Sequence, residues 1–347
     1  MTNFDGTNRW SRRAVLKCGA LTPLALSCAR LEAAVESMTA LPLITKVIPR
    51  SGQRIPAVGL GTNRFGVQQP PAIAGADNSG FHSASYDDVR AILAKMHELG
   101  GTVIDTAAGY GDSEILIGRA LSESGLARKM FIATKFNAQG ATLPLPPDAP
   151  PVGENEVFGP GAFDRSLARL RVERVDLLFA HFLSSTDPLM PLMSRLKHEG
   201  KVRYIGTTVG MLSLHTPLAV KTRQYPLDFI QVDYSIGNRD AAETVFPTAL
   251  ERDTAVMIDQ PLHSHAGPLL SRVAGVPLPS WAAEIDVTSW NQFFIKYAIS
   301  HPAVTCAIPG STRVEHLVEN QLAGRGRMPD AAMRLEMERY WDAHAKA

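Results

Sequence analysis

From about residue 44 onward, eight short apolar runs alternate with stretches of helical periodicity, and this alternation constrains the fold more than any other feature of the chain. The runs are 55–62, 102–106, 131–135, 175–181, 202–208, 229–233, 255–259 and 304–310. Most are near-continuous in apolar character, as parallel strands covered on both faces require. Between them, 85–100 and 113–125 place apolar residues at helical spacing, and each closes in a glycine suited to a helix C-cap. Segments 163–172 and 191–200 read the same way. Strand–helix alternation repeated eight times points to an α/β chain closed as a (β/α)8 barrel. An open doubly wound sheet is the alternative, but its dinucleotide site needs a GxGxxG turn after the first strand, and none is present.

Ahead of the first run, 45–58 reads as a hairpin that plugs the barrel's N-terminal end. Two connections are long, 63–84 and 136–160, and both follow strand C-termini, so both belong to the catalytic face of such a barrel. The second carries the proline-rich stretch 143–151, which suits no regular element. Each is open to two readings, a wall of the substrate pocket or solvated padding.

Positive and negative residues nearly balance (Lys+Arg 35, Asp+Glu 34) without a basic run, which argues against a nucleic-acid partner. The chain has three cysteines, Cys18, Cys28 and Cys306. The first two fall in residues 1–40, a region set apart from the barrel at 44–347. There Arg12-Arg13, within 11–17, resembles a twin-arginine export signature, with Val15 where Phe is more usual. The apolar stretch 18–29 follows, too short to span a bilayer but of signal-peptide length, and Ser27-Cys28-Ala29 offers small residues for cleavage. The expectation is a removable or disordered export segment, recognised by export machinery and directing the protein to the periplasm or beyond. If the segment is only an extension containing two arginines, the protein stays cytoplasmic. Once it is removed, Cys306 is the lone thiol, and its setting in an apolar run suits a buried structural role.

In a barrel of this type catalytic groups project from strand C-termini. Those positions hold Asp105 after the second strand, Lys135 on the third and His181 on the fourth, with Tyr110 in the loop after Asp105. A free tyrosine has a pKa of ~10, too high for efficient acid–base work at neutral pH, and a nearby ammonium lowers it. Lys135 is expected to act in this way on Tyr110, with Asp105 fixing and balancing the ammonium. His181 is placed to orient a carbonyl oxygen. Taken singly each has an ordinary explanation: a structural carboxylate, a loop aromatic, a salt-bridged lysine, a strand-edge histidine. On three successive strands they form a proton-delivery set.

The segment Asp105-Thr106-Ala107-Ala108-Gly109-Tyr110-Gly111-Asp112-Ser113-Glu114 resembles the signature of the aldo/keto reductase superfamily, and the likeness runs in order over about residues 44–322. It continues in Asp176-Leu177-Leu178 with His181, 200–206, Gln231 with Tyr234, Asn238-Arg239, 308–313 and Glu319-Asn320. The resemblance implies a catalytic tetrad of Asp105, Tyr110, Lys135 and His181, and NADPH (NADH being possible) laid across the barrel mouth. It places the adenosine end of the cofactor at Pro309, Gly310, Ser311, Thr312, Arg313 and Asn320, and the nicotinamide amide at Gln231. Independently of the family, 309–313 leads from a strand into a helix, whose free N–H groups attract anions, and Arg313 suits a ribose 2′-phosphate. Gly61, Thr62, Thr207, Thr208 and Asp259 complete the candidate cofactor set. Two positions depart from the family: Thr208-Val209 stands where many relatives have Ser-Asn, and Asp259-Gln260 where relatives often stack an aromatic on the nicotinamide. Asp259 can still hydrogen-bond the ring amide.

His263 and His265 lack a third ligand at metal spacing, so they read as a polar loop at the pocket rim and no metal is expected. Phe65, Trp281 and Trp290 are equally candidates for pocket wall and for core. Three functions follow from these features. One is an NAD(P)H-dependent reductase of a small aldehyde or ketone, or the reverse reaction, without a membrane span. Another is an exported, redox-neutral epimerase or coupled sugar oxidoreductase that retains its cofactor. The third is a cofactor-gated binding subunit.

Overall fold

The computed structural model describes residues 36–67, 82–137 and 160–346. The chain divides into two units, Met1–Pro42 and Leu43–Ala347. In the first, residues 36–39 form a helical turn, while the twin-arginine-like segment with its apolar run, Cys18 and Cys28 included, lies outside the described residues. So do 68–81 and 138–159, the greater part of the two long connections.

The second unit opens with an antiparallel hairpin, β1 (Thr45–Val47) and β2 (Arg54–Pro56), in which Thr45 faces Pro56. Then come β3 (Leu60–Gly61), β4 (Val103–Asp105), β5 (Phe131–Phe136), β6 (Val175–Ala180), β7 (Val202–Thr208), β8 (Phe229–Val232) and β9 (Ala255–Ile258). A small hairpin, β10 (His263–Ser264) with β11 (Gly267–Pro268), precedes the last barrel strand, β12 (Val304–Ala307). The ladders of the eight-stranded sheet, β3 to β9 with β12, are all parallel. The two edges join through Val58↔Ala307 and Gly61↔Gly310, with Gly59 donating its N–H to the Ala307 carbonyl at 2.8 Å. That pairing closes the (β/α)8 barrel and leaves no free edge. The apolar run 55–62 therefore serves two elements: Pro56, which has no N–H, ends the hairpin, and Leu60–Gly61 begins the barrel.

Side-chain parity decides what fills the barrel. Val103, Phe131, Ala133, Leu177, Phe179, Tyr204, Phe229, Ala255, Met257, Cys306 and Ile308 form one interior cluster. Ile48 and Ile55 of the hairpin belong to it, so the hairpin does plug one end. The alternate residues Ile104, Ile132, Leu178, Ile205, Ile230 and Val256 pack outward in the larger cluster shared with the helices.

Helix Tyr86–Glu98 starts at a capping box in which Ser85 and Asp88 exchange side-chain-to-backbone bonds, and its Val89, Ile92, Leu93 and Met96 are buried at helical spacing. Helix Ser113–Ser124 ends at Gly125 with φ 67°. Helix Thr186–His198 begins five residues before the expected start at Pro191. Pro188 falls in its first turn, where N–H groups lack intrahelical partners, so only Pro191 removes a bond. Leu189, Met190, Met193 and Leu196 bury a continuous stripe that outweighs it. Phe65 is core, and Trp281 and Trp290 pack on Phe293 of helix Trp290–Ser300.

Candidate active site

Parity carries the polar residues to the mouth. With Val103 inward, Asp105 is inward; with Phe131 and Ala133, Lys135; with Leu177 and Phe179, His181. Lys135 and Asp105 are both almost fully buried (1 % and 2 % exposed) and form a direct ion pair. Lys135 Nζ also donates to the Thr106 carbonyl (3.0 Å) and to Tyr110 Oη (3.4 Å), and lies 4.9 Å from the centre of the Tyr110 ring. The His181 ring stands edge-on to Tyr110, with centroids 5.8 Å apart. The four predicted residues thus form one group.

A hydroxyl network holds the Tyr110 loop. Thr106 and Ser113 share a hydrogen bond of 2.9 Å, and Ser113 Oγ donates to the Thr62 carbonyl at 3.2 Å. Gly66, at φ 65°, lies so close to Asp112 that a Cβ there would come within 2.7 Å of the Asp112 Cβ. The loops after β3 and β4 are thereby locked together.

Burial works against the Lys135 ammonium, but Asp105 and Tyr110 hold its pKa above the ordinary lysine value, so it stays charged. Tyr110 departs from expectation. Burial raises its pKa, and the lowering by Lys135 does not overcome that, because Asp105 balances the ammonium and Asp259 adds negative charge. The phenol is therefore held protonated. Burial first, then Lys135, lower the pKa of His181 to about 3, so it is a neutral imidazole at physiological pH.

The candidate cofactor residues divide. Gly61 and Gly310 bring the loops after β3 and β12 into contact, and a Cβ on Gly61 would lie 2.7 Å from the Ile308 carbonyl. Arg313 is exposed and 4.0 Å from Glu315, and the first turn of helix Val314–Leu322 has no side-chain cap. Pro309 is buried, Gly310 exposed and Thr312 half-buried, while Ser311 closes the loop by donating to the Arg313 carbonyl at 2.9 Å. Gln231 reaches the interior, where its amide N–H donates to Asp105 (3.1 Å) and Met257 Sδ (3.4 Å). Thr208 is inward and accepts from the Phe182 N–H at 3.2 Å.

Three further candidates have hydrogen-bond partners within the fold. Thr207 has the opposite parity and bonds Thr186 on the helix side at 2.7 Å. The Thr62 hydroxyl is buried against the Asp105 carbonyl at 2.9 Å. Asn320 is buried and accepts from Asn291 at 2.9 Å. Asp259, after β9, has one carboxylate oxygen buried with no hydrogen-bond partner. Burial, then the charge of Asp233, raise its pKa to about 8. His265 is 4.0 Å from Asp233, and no group of three potential metal ligands occurs among the described residues.

Two residues escaped the sequence reading. Phe182 adopts φ 75° and stacks on His181 at 4.3 Å, an uncommon backbone state for a bulky residue. An aromatic directly after the strand-end histidine was its only signal. Asn137, following β5, leaves Oδ1 buried and unpaired, and no sequence pattern marks it.

Known proteins resemble the chain in sequence and in fold. An aldo-keto reductase, str7, from Strobilurus tenacellus is 29% identical over 231 residues, covering 64% of this chain and 62% of that protein. The aldo-keto reductase yakc [NADP(+)] from Schizosaccharomyces pombe is 31% identical over 193 residues, 51% of this chain and 53% of its own length. The chain thus spans about three fifths and about half of the lengths of these curated relatives. A Klebsiella pneumoniae aldo/keto reductase solved in complex with NADP and acetate shares the fold at TM-score 0.61 and 23% identity, over 85% of this chain and 95% of that one. Residues 57–334, from the strand that closes the barrel to the last helix, match the Aldo/keto reductase family, and the chain belongs to that family.

Proposed function

We propose that the protein reduces an aldehyde or ketone to the alcohol with NADPH, using Tyr110 as the proton donor. The observation that carries this reading is the buried Lys135–Asp105 pair set against a protonated Tyr110 and a neutral His181. Bound nicotinamide cofactor supplies the hydride. Tyr110 gives its phenolic proton to the carbonyl oxygen as charge develops there, and Lys135, 3.4 Å away, steadies the phenolate left behind. His181, being neutral, orients the same oxygen by hydrogen bonding without competing for the proton. Asp105 keeps Lys135 charged and in place.

The residues fit a dinucleotide. The uncapped helix start after Arg313 suits an anion, and the unpartnered Asp259 oxygen suits a hydrogen-bonding ligand. Arg313 is exposed for the 2′-phosphate, which favours NADPH over NADH. Tyr110→Phe tests the reading: turnover should fall by about 10²-fold or more while NADPH affinity, followed by fluorescence, stays unchanged. A variant with full activity overturns it.

The Arg12-Arg13 pair followed by 18–29 supports export by the twin-arginine route. Fractionation of cells expressing the full chain, beside an Arg12→Lys/Arg13→Lys variant, tests this. Accumulation in the cytoplasm of both forms overturns it. Nicotinamide retained through purification would favour the redox-neutral reaction instead.

A further inference from the structure

Asp259 follows β9, four places round the sheet from β5, so it stands across the mouth from Lys135. Ala255 and Met257 point inward, and the same parity turns Asp259 inward. One of its oxygens is buried without a partner, and the other lies 3.7 Å from where a Cβ on Gly210 would sit. The charged and titratable groups that act on it or feel it are Asp233 after β8, Lys135 on β5, Asp105 on β4 and Tyr110 in the loop after β4. Asp233 is already engaged by His215 (2.9 Å) and Asn238. One oxygen of the buried Asp259 carboxyl is thus left without a partner in the barrel, and such an unsatisfied oxygen costs stability.

The proton delivery described above defines where a bound ring must be. A carbonyl oxygen held by Tyr110 and His181 puts the carbon on the inner side of those residues. A hydride donor that reaches it would enter through the mouth, which Asp259 faces from the strand opposite that of Lys135. An oxidised nicotinamide is a cation and a reduced one is neutral. A carboxylate in a water-poor site therefore favours the oxidised form through Coulomb attraction.

We propose that Asp259 is the counter-charge to the oxidised cofactor, giving up its proton when the cationic nicotinamide binds and keeping it beside the reduced ring. The inference rests on the oxidoreductase reading above. In the binding step the carboxyl O–H bond breaks and the proton passes to solvent; no electrons move. The carboxyl's protonated state below about pH 8 makes that release measurable at neutral pH.

Isothermal titration of the full chain at pH 7, in two buffers of different ionisation enthalpy, measures it directly. Wild-type protein should release more protons with NADP⁺ than with NADPH, by close to one. Protons on the 2′-phosphate are common to both cofactors and cancel in the difference. In Asp259→Asn the difference should vanish, and the affinity for NADP⁺ relative to NADPH should drop several-fold. Equal release by both cofactors in the wild type, which needs no variant, overturns the proposal, as does a difference that persists in Asp259→Asn. Binding of neither cofactor overturns the oxidoreductase reading and this inference with it, so the two failures are told apart.

Discussion

A lysine with 1 % of its surface exposed persists inside a barrel because three oxygens receive its ammonium: Asp105, the Thr106 carbonyl and Tyr110. Removing either charge of such a pair strands the other, which costs more than the pair itself is worth. The pair also sets the working pH. His181 is charged only below about pH 3 and Tyr110 ionises above the ordinary tyrosine range, so neither loses its working form in mildly acidic solution. We expect kcat/KM for carbonyl reduction to be level between about pH 5 and 7. A limb near 6.5 that disappears in His181→Gln would contradict this. Asp259 has the opposite effect on stability. Its folded pKa of about 8 lies above the ordinary aspartate value of 3.8, so the folded state holds a proton that the unfolded chain has released. Its contribution is complete below about pH 3.8 and is lost as pH rises to about 8. Asp259→Asn should therefore raise the Tm by several degrees at pH 8 and by less at pH 5. A thermal-shift series showing a pH-independent gap would sink this. The residue types and their order were legible in the sequence; the sign of the Tyr110 shift was not, because it depends on how Asp105, Asp259 and burial add around the phenol.

At the scale of elements, the strands carry the site by period-two alternation. It sends Lys135, His181 and Thr208 inward and turns Thr207 to the helix layer. The run 202–208 was readable as a strand, but an apolar run of this kind does not reveal which of two adjacent threonines faces the mouth. Helix contacts were less visible. Gly118, in helix Ser113–Ser124, meets helix Pro160–Leu170 so closely that a Cβ would lie 2.1 Å from the Arg169 carbonyl. Backbone cannot yield as a side-chain tip can, so Gly118→Ala should destabilise by more than about 2 kcal/mol in urea unfolding. A loss below about 0.5 kcal/mol would show that the helices separate freely. Glu114 lies on the same helix, and its buried ion pair with Arg169 at 2.6 Å and bond from Thr134 fix the helix against β5.

For the molecule as a whole, closure matters most. The Gly59–Ala307 and Gly61–Gly310 contacts join the first and last strands, and they bring the loop after β3 beside 309–313. The unit Leu43–Ala347 contains the hairpin, the closed barrel and every candidate site residue. A chain trimmed to that unit should fold cooperatively and bind NADPH with the full chain's Kd. A Kd weakened tenfold or more would assign residues 1–42 a part in the site.

The eight-run rhythm and the signature around Tyr110 were enough by themselves to give the barrel, its plug and the four candidate residues that the structure groups together. Apolar periodicity encodes which surfaces must be buried, and strand C-termini in such a barrel converge on one face. Only the tertiary structure decided which partner each candidate side chain takes. Thr62, Thr207 and Asn320 are satisfied by Asp105, Thr186 and Asn291, partners 43, 21 and 29 positions away in sequence. It also decided the protonation states, since burial and the summed field of distant charges exist only once the chain has closed.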